Sequence, residues 1–371
     1  MKLQILIPQY KETDEVVKPL LDSIAIQQSV PMDEIGVIIV NDGSDVHLSN
    51  SLLKSYPYKV EYYLEEHRGV SGTRNACFEH ATADYVMFCD ADDMFCNVCG
   101  LWIIFREIEN GGFDSLVSVF VEESHLPQDM PEQRNPQGQV IQPAMKKGDI
   151  LYINHDMDST FVHGKIHRRQ YLLDQNIRWN EKLTIHEDSF FNIQCQNLSQ
   201  NVKYCPMPFY LWKWRDDSVC RHDPKYILKT YNNMLDSNDA LIDEFLKRGI
   251  QDKAMFYTCF MIFDAYYTMN KPEWINQENK EYRDKTELRF ADYFVKRRDL
   301  WKAVPDPDKM QISNQVRARS VTEGMRMEAI TIDGWLKKVL RMRANFNAER
   351  KAAKKAKKSK KSDEDKTESV S

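Results

Sequence analysis

Residues 84–93 read Asp-Tyr-Val-Met-Phe-Cys-Asp-Ala-Asp-Asp, and no other stretch limits the fold so tightly. A buried apolar run stops abruptly in Asp90, Asp92 and Asp93. Like charges at that spacing repel, and each costs free energy to take out of water unless a cation or hydrogen-bond donors answer it. A strand that delivers such a cluster to its carboxyl edge makes sense where a divalent metal and a polyanion meet.

The rest of the first third alternates strand and helix. Leu3–Pro8, Ile35–Val40, Val60–Leu64, Tyr85–Cys89 and Leu116–Val121 read as short, nearly continuous apolar strands. Asp14–Gln28, with Asp14 as cap, Ser71–Ala81 and Leu101–Ile108 read as helices. This order predicts an α/β fold, a mostly parallel sheet with helices on both faces. Residues 125–150 read as a long connection, and residues 151–222 as short elements with dense polar motifs. From Tyr226 to about Leu340 the pattern is helical, and the aromatic stripe of Met255–Met269 reads as core. Lys351–Lys361 holds seven lysines. The expected organisation is a catalytic domain over 1–222, a helical domain over 223–345 and a disordered lysine-rich tail over 346–371.

In an open α/β sheet, ligands bind beyond the carboxyl ends of the strands. Four such ends carry polar groups here: Pro8-Gln9-Tyr10, Asn41-Asp42-Gly43-Ser44, the Arg68–Asn75 segment after the third strand, and Asp90-Ala91-Asp92-Asp93. Asp42 suits the imide N–H of a uracil ring. Gly69 and Gly72 permit close backbone approach, and Arg74 near a helix start can pair with a diphosphate. Asp90 and Asp92 are hard oxygen ligands suited to Mg²⁺ or Mn²⁺. Taken singly, each has a plainer reading: Asp42-Gly43 as a turn, the aspartate cluster as a solvated cap, and Asp188 as a cap of the helix that follows it.

Ile-Leu-Ile-Pro-Gln-Tyr-Lys-Glu, Val-Ile-Ile-Val-Asn-Asp-Gly-Ser, Gly-Val-Ser-Gly-Thr-Arg-Asn-Ala and Tyr-Val-Met-Phe-Cys-Asp-Ala-Asp-Asp, in that order, resemble the family-two inverting glycosyltransferases of GT-A fold. The likeness is strong over about residues 1–125. It is weaker through Lys165–Arg169, His186-Glu187-Asp188 and Trp214–Ser218. Gln9 departs from the small or apolar residue usual at its position. The resemblance implies a nucleotide-sugar donor, a UDP-sugar first, with Pro8, Tyr10, Glu12, Asp42, Arg74, Asp90 and Ala91 in its pocket. It further implies Asp92 on the metal, Asp188 as general base with Glu187 as backup, and Arg215 and Ser218 on a segment closing over the pyrophosphate. Asp93 is a weaker metal candidate.

Transfer to a glycan or cell-surface polymer hydroxyl is the expected activity. A sugar nucleotidyltransferase is the alternative, although no glycine-rich loop follows the first strand. A catalytically silent nucleotide-sugar-binding protein is the other. A dehydrogenase would need G-x-G-x-x-G there. Cys96 and Cys99 have a metal-like spacing without a second pair. His163 and His167 read as structural or as lining an acceptor cleft, and Trp212 and Trp214 as half-buried strand residues or a sugar platform.

Net charge of −5 argues against a general nucleic-acid binder. The scattered cysteines, the absence of a long apolar run and a first strand directly after Met1-Lys2 lead to the expectation of a reduced, cytoplasmic compartment, at most peripheral at the inner membrane surface. Lys351–Lys361 suggests contact with an anionic polymer or membrane surface, and the helical half suggests a homo-oligomer.

Overall fold

Strands that are apolar on both faces need cover on both, and that requirement organises the first part of the chain. The computed structural model describes residues 1–123, 133–134, 140–141, 152–154, 160–213, 225–322 and 331–368. Two compact units form, Met1–His222 and Asp223–Ser371.

The strands are β1 (Leu3–Gln9), β2 (Ile35–Asp42), β3 (Lys59–Glu65), β4 (Tyr85–Phe88), β5 (Met94–Phe95), β6 (Ser115–Glu122), β7 (Gln133–Arg134), β8 (Val140–Ile141), β9 (Tyr152–Asn154), β10 (Lys165–Arg168) and β11 (Val202–Trp212). One sheet runs β3-β2-β1-β4-β10-β6-β11-β5, with β9 on β6, while β7 and β8 pair separately. β3, β2, β1 and β4 are parallel throughout. Beyond β4 the pairing is antiparallel at β10 on both sides, at β9 and at β5, and parallel between β6 and β11. The α/β class with a helical C-terminal region therefore holds. The sheet is more evenly mixed than a mostly parallel reading supposes, because β10 returns between β4 and β6.

The first unit's helices are α1 (Asp14–Ala25), α2 (Asn50–Leu53), α3 (Gly69–His80), α4 (Gly100–Glu109), α5 (Arg169–Asp174) and α6 (Glu187–Asn197). Alternation along β1 sends Leu3, Ile5 and Ile7 to one face, where α1 and α4 close the core with Leu20, Ile24, Leu101 and Phe105. Leu6 points to the other face, where Cys77 of α3, Leu172 of α5 and Phe191 of α6 meet it. Thr13 stands at the N-cap of α1 rather than Asp14, whose carboxylate instead accepts the Ser49 N–H at 2.9 Å. Register sets the functional edge. Leu6 pairs with both Ile38 and Phe88, so Pro8, Val40 and Asp90 come level at the carboxyl ends.

The second unit holds α7 (Tyr226–Lys247), α8 (Gln251–Met269), α9 (Pro272–Ile275), α10 (Lys280–Ala303), α11 (Asp306–Thr322) and α12 (Ile332–Glu368). α7, α10 and α11 pack on α8, whose Phe263, Tyr266 and Tyr267 are buried, so the aromatic stripe is core over its second half, while Phe256 near its start is exposed. Trp335 and Val339 anchor the start of α12, a helix that runs to Glu368. Ala, Lys, Arg and Glu are strong helix formers, and a docked first turn removes the cost of nucleation.

Glu287 of α10, 1% exposed, holds α12 in place. It accepts the Trp335 Nε1–H at 3.3 Å, Lys338 Nζ at 3.1 Å and Arg283 Nε at 3.2 Å. Removing the acceptor leaves a buried indole N–H and a largely buried guanidinium unanswered. Glu287→Ala is expected to lower unfolding free energy by about 3 kcal/mol, and Lys338→Ala, at a half-exposed partner, by less than about 1 kcal/mol. Urea unfolding of both variants followed by circular dichroism checks the contrast.

Candidate active site

At the carboxyl edge of β1, β2 and β4 a cleft of about 360 Å³ opens. Its wall takes Pro8, Tyr10 and Glu12 from the end of β1, Asp42 from β2, and Asp90, Ala91 and Asp92 from the end of β4. Arg74 and Thr73 come from α3. Eight of the residues singled out in the sequence thus line one cavity. Gly69, expected to allow close backbone approach, lines it too, while Gln9, His67, Val70 and Thr73 line it and were not singled out as site residues. Their signal was position alone, beside Tyr10, directly before the Arg68–Asn75 segment or inside it.

The loop after β1 is fixed by two buried amides. Gln9 Nε2 donates to the carbonyls of Glu12 at 2.9 Å and Val46 at 3.2 Å. Asn41 Nδ2 donates to Ser44 O, Val46 O and the Tyr62 hydroxyl. Gln9 therefore uses its side chain to hold the rim. Lys11 adopts φ 69°, sparsely populated for a residue with a Cβ, and Gly43 adopts φ 68°, where a Cβ would stand 2.7 Å from His67 N. The rim so held turns the exposed Tyr10 ring to within 5.0 Å of the His67 ring.

Asp42 is almost fully buried and sits at the start of α3. One oxygen accepts the Arg68 N–H at 2.7 Å, the other the Gly69 N–H at 2.9 Å, with His67 Nδ1 2.9 Å from that second oxygen. The carboxylate thus caps the helix as well as facing the cleft. About two of its four lone-pair positions remain for another donor. Beside it, Gly69 has φ 74°, and a Cβ there would meet nothing within 4 Å, so the cleft is open at this point. A Cβ on Gly72 would instead fall 2.4 Å from the Arg68 Cβ, so that glycine serves packing against Arg68 rather than approach to a ligand.

Arg74, 4% exposed, donates through Nη2 to Asp90 at 2.8 Å and through Nη1 to Glu187 at 2.9 Å. Its guanidinium lies 4.5 Å from the Trp179 ring centre. Burial opposes its charge, but Asp90 and Glu187 more than offset that and hold it firmly protonated. Asp90 is likewise penalised by burial, yet Arg74 and then His163 keep its carboxyl below the usual range.

Glu187 and Asp188 open α6 after His186, which takes a left-handed φ of 62°. Neither carboxylate is on the cavity wall; Arg74 links Glu187 to Asp90 across the edge of it. Asp188 accepts its neighbour Ser189's N–H at 2.7 Å. Burial first, and Glu187 second, push its pKa up to about 7.

Asp93 turns away from the cleft. It accepts the Tyr210 hydroxyl at 2.5 Å and the Lys213 N–H at 3.0 Å, and burial with Asp90 and Asp92 beside it drives its pKa well up. His163 Nδ1 stands 3.7 Å from it, and Asp90, Asp93 and His163 offer ligand atoms within 4.8 Å of one another. Two donor sets for a cation thus share Asp90. Asp90 and Asp92 are half-buried hard oxygen ligands on the cleft wall, which suits Mg²⁺ or Mn²⁺ with a diphosphate. In the second set Asp93 already has a donor on each oxygen, and its ionisation is disfavoured.

The other sequence candidates separate. His167 bonds Ser115 Oγ at 2.9 Å, and burial holds its pKa down to about 3, so it is a neutral structural residue. Trp212 stacks on His163 at 5.3 Å and packs against the core, which makes it a packing residue. Cys96 and Cys99 are free, buried thiols. Arg215, Ser218 and Trp214 lie outside the described residues.

Residues 4–165 match the model for Glycosyl transferase family 2. An uncharacterized glycosyltransferase EpsJ of Bacillus subtilis (strain 168) is 22% identical over 267 residues, 71% of this chain and 72% of the relative. A putative glycosyltransferase EpsH of the same organism is 21% identical over 253 residues, 65% of this chain and 69% of its own. Among solved structures, S. aureus TarS 1–349 is similar with a TM-score of 0.57 at 16% identity, covering 90% of this chain and 95% of that one. Its complex with UDP-GlcNAc gives 0.56 at 18% identity over the same shares. At such identities the likeness shows the fold.

Capping by Asp42 has a direct consequence. Asp42→Ala leaves two N–H groups at the start of α3 without their acceptor and is expected to lower unfolding free energy by about 1–2 kcal/mol. Urea unfolding without ligand measures it.

Proposed function

We infer that this chain, whose residues 4–165 match the model for Glycosyl transferase family 2, is a glycosyltransferase that moves a sugar from a UDP-sugar to an acceptor hydroxyl with inversion at the anomeric carbon. The convergence of Asp42, Arg74, Asp90 and Asp92 on one cleft carries this reading. It is supported by fold neighbours that were crystallised with UDP and with UDP-GlcNAc. The unit Met1–His222 is then the catalytic domain, and a glycan or cell-surface polymer is the acceptor class.

Each residue has a task in this reading. Asp42, fixed by two backbone N–H groups, presents a remaining acceptor position to the uracil imide, with Tyr10 and His67 offering ring faces to the base. Asp90, held ionised by Arg74, accepts from the ribose hydroxyls. Arg74 stays charged and orders both Asp90 and Glu187 at the edge of the cleft. Pro8, Glu12 and Ala91 shape the wall between base and diphosphate. Asp92 with Asp90 would hold Mg²⁺ or Mn²⁺, whose positive charge lowers the cost of the departing diphosphate.

Asp188 takes the acceptor's proton as the hydroxyl attacks, and Glu187, already tied to Arg74, keeps the neighbouring charge in place. A carboxyl with a pKa near 7 is a stronger base than an exposed one, which suits proton abstraction near neutral pH.

A panel of UDP-sugars with Mg²⁺ or Mn²⁺, read as UDP release, tests the reading. Asp188→Asn is expected to lower kcat by about 10²–10⁴-fold and Asp92→Ala by about 10²-fold. Unchanged turnover in both would reject it.

The raised pKa of Asp188 also fixes two signs. The base works ionised, so kcat should rise with pH through about 7. The folded chain holds this proton more tightly than the unfolded chain, where the pKa is about 3.9. Stability from this group is therefore full below about pH 4 and falls as pH rises towards 7. Asp188→Asn should flatten that fall and unfold later than the wild type at pH 8, as thermal scans at pH 5 and 8 would show.

A further inference from the structure

In the helical unit, α7, α10 and α12 enclose a groove of about 430 Å³ that the transfer chemistry does not use. Each helix contributes four lining residues at spacing i, i+3, i+4, i+7, so each turns one two-turn face inward. Five lysines or arginines and two aspartates line it. The aspartates are already answered, Asp236 by Arg289 at 2.8 Å and Asp292 by Arg343 at 2.6 Å. The wall carries three more basic than acidic side chains, with Lys285 and Arg350 exposed, in a chain whose net charge is −5.

Two further features bear on what fits there. The exposed Phe346 ring carries Arg350 at 5.9 Å from its centre and presents an apolar face amid the cations. Asn232 Oδ1 is buried beside the groove without a hydrogen-bond partner, a position that a hydroxyl or water can relieve. On α12 the basic row continues past Arg350 to the exposed Lys354, and the sequence keeps lysine at 357, 358 and 361 in the same spacing.

We propose that this groove binds an anionic glycan, a chain whose repeats carry carboxylate or phosphate groups together with hydroxyls, and that α12 extends the binding track. The proposal rests on the glycan-acceptor reading above and gives the helical unit the task of holding that acceptor. A concave site with carboxylates inside it suits a threaded chain better than a flat lipid surface. A single aromatic ring with amides around it suits sugar rings better than a run of stacked bases.

The test uses the full chain and fluorescently labelled oligomers of polygalacturonate and of inorganic polyphosphate, with anisotropy as readout. Binding of both is expected, weakening as salt rises. Lys285→Glu with Arg350→Glu should weaken both by about tenfold or more. Phe346→Ala should weaken polygalacturonate and spare polyphosphate. UDP-sugar hydrolysis without acceptor should be unchanged in all variants, which shows that they are folded. A failure of the donor reading appears separately, as no hydrolysis by the wild type. Equal affinity in the charge-reversed variant, or binding confined to anionic vesicles or to duplex DNA, would overturn the proposal.

Discussion

A buried guanidinium shared by two carboxylates underlies the site. Arg74 comes from α3, Asp90 follows β4 and Glu187 opens α6, so one side chain joins three elements distant in sequence. Taking three charges out of water is costly, and a hydrophobic trio of equal volume would hold the elements together as well or better. What such a trio could not supply is ionised oxygen at a fixed place. Arg74 keeps Asp90 charged despite its burial, while Asp188, which accepts only its neighbour's N–H among the hydrogen bonds described, rises to about 7. Asp90 and Asp188, from different elements, are thus held in different protonation states, the first by its pairing with Arg74 and the second by burial and the neighbouring Glu187. That separation lets one region bind a polyanion's counter-charge and also accept a proton.

The same edge carries backbone strain. Lys11 and His186, both left-handed and neither glycine, stand at the turns that bring Tyr10 and Glu187 into position. Such conformations persist only where surrounding bonds over-determine them. At the first turn those bonds are visible: Ser44 Oγ accepts the Lys11 N–H at 3.1 Å, and Gln9 and Asn41 tie the facing loop. Rigidity at the rim is therefore built from amides and a hydroxyl and leaves the carboxylates available to ligand.

Much of the parallel half was legible because its strands are buried on both faces. Ile35–Val40 and Tyr85–Cys89 are continuous apolar runs, and the turn and carboxylates that end them mark the functional edge. The antiparallel half was not. β10 has Lys165 and His167 pointing inward, so it reads as a basic polar stretch until Phe161 O and Ser115 are seen to satisfy them. β11 interrupts its register between Cys205 and Tyr210, which hides its alternation. His163 was out of reach for the same reason, since only β10's position between β4 and β6 brings it to Asp93. The anchoring of α12 was not legible either, because composition does not show the contacts by which Glu287 grips Trp335 and Lys338.

Charge is distributed by function rather than averaged. The cleft gathers Glu12, Asp42, Asp90 and Asp92 against Arg74 alone among lysine and arginine side chains on its wall, a balance that favours an added cation. The groove of the helical unit gathers five basic side chains against two acidic ones, a balance that favours an added anion. Neither arrangement is what stability alone would select, because like charges brought together repel in the absence of ligand. Each would be relieved by opposite charge, a cation in the first and an anion in the second. Under the readings proposed above, the first site would take the donor diphosphate through its cation and the second the acceptor chain directly.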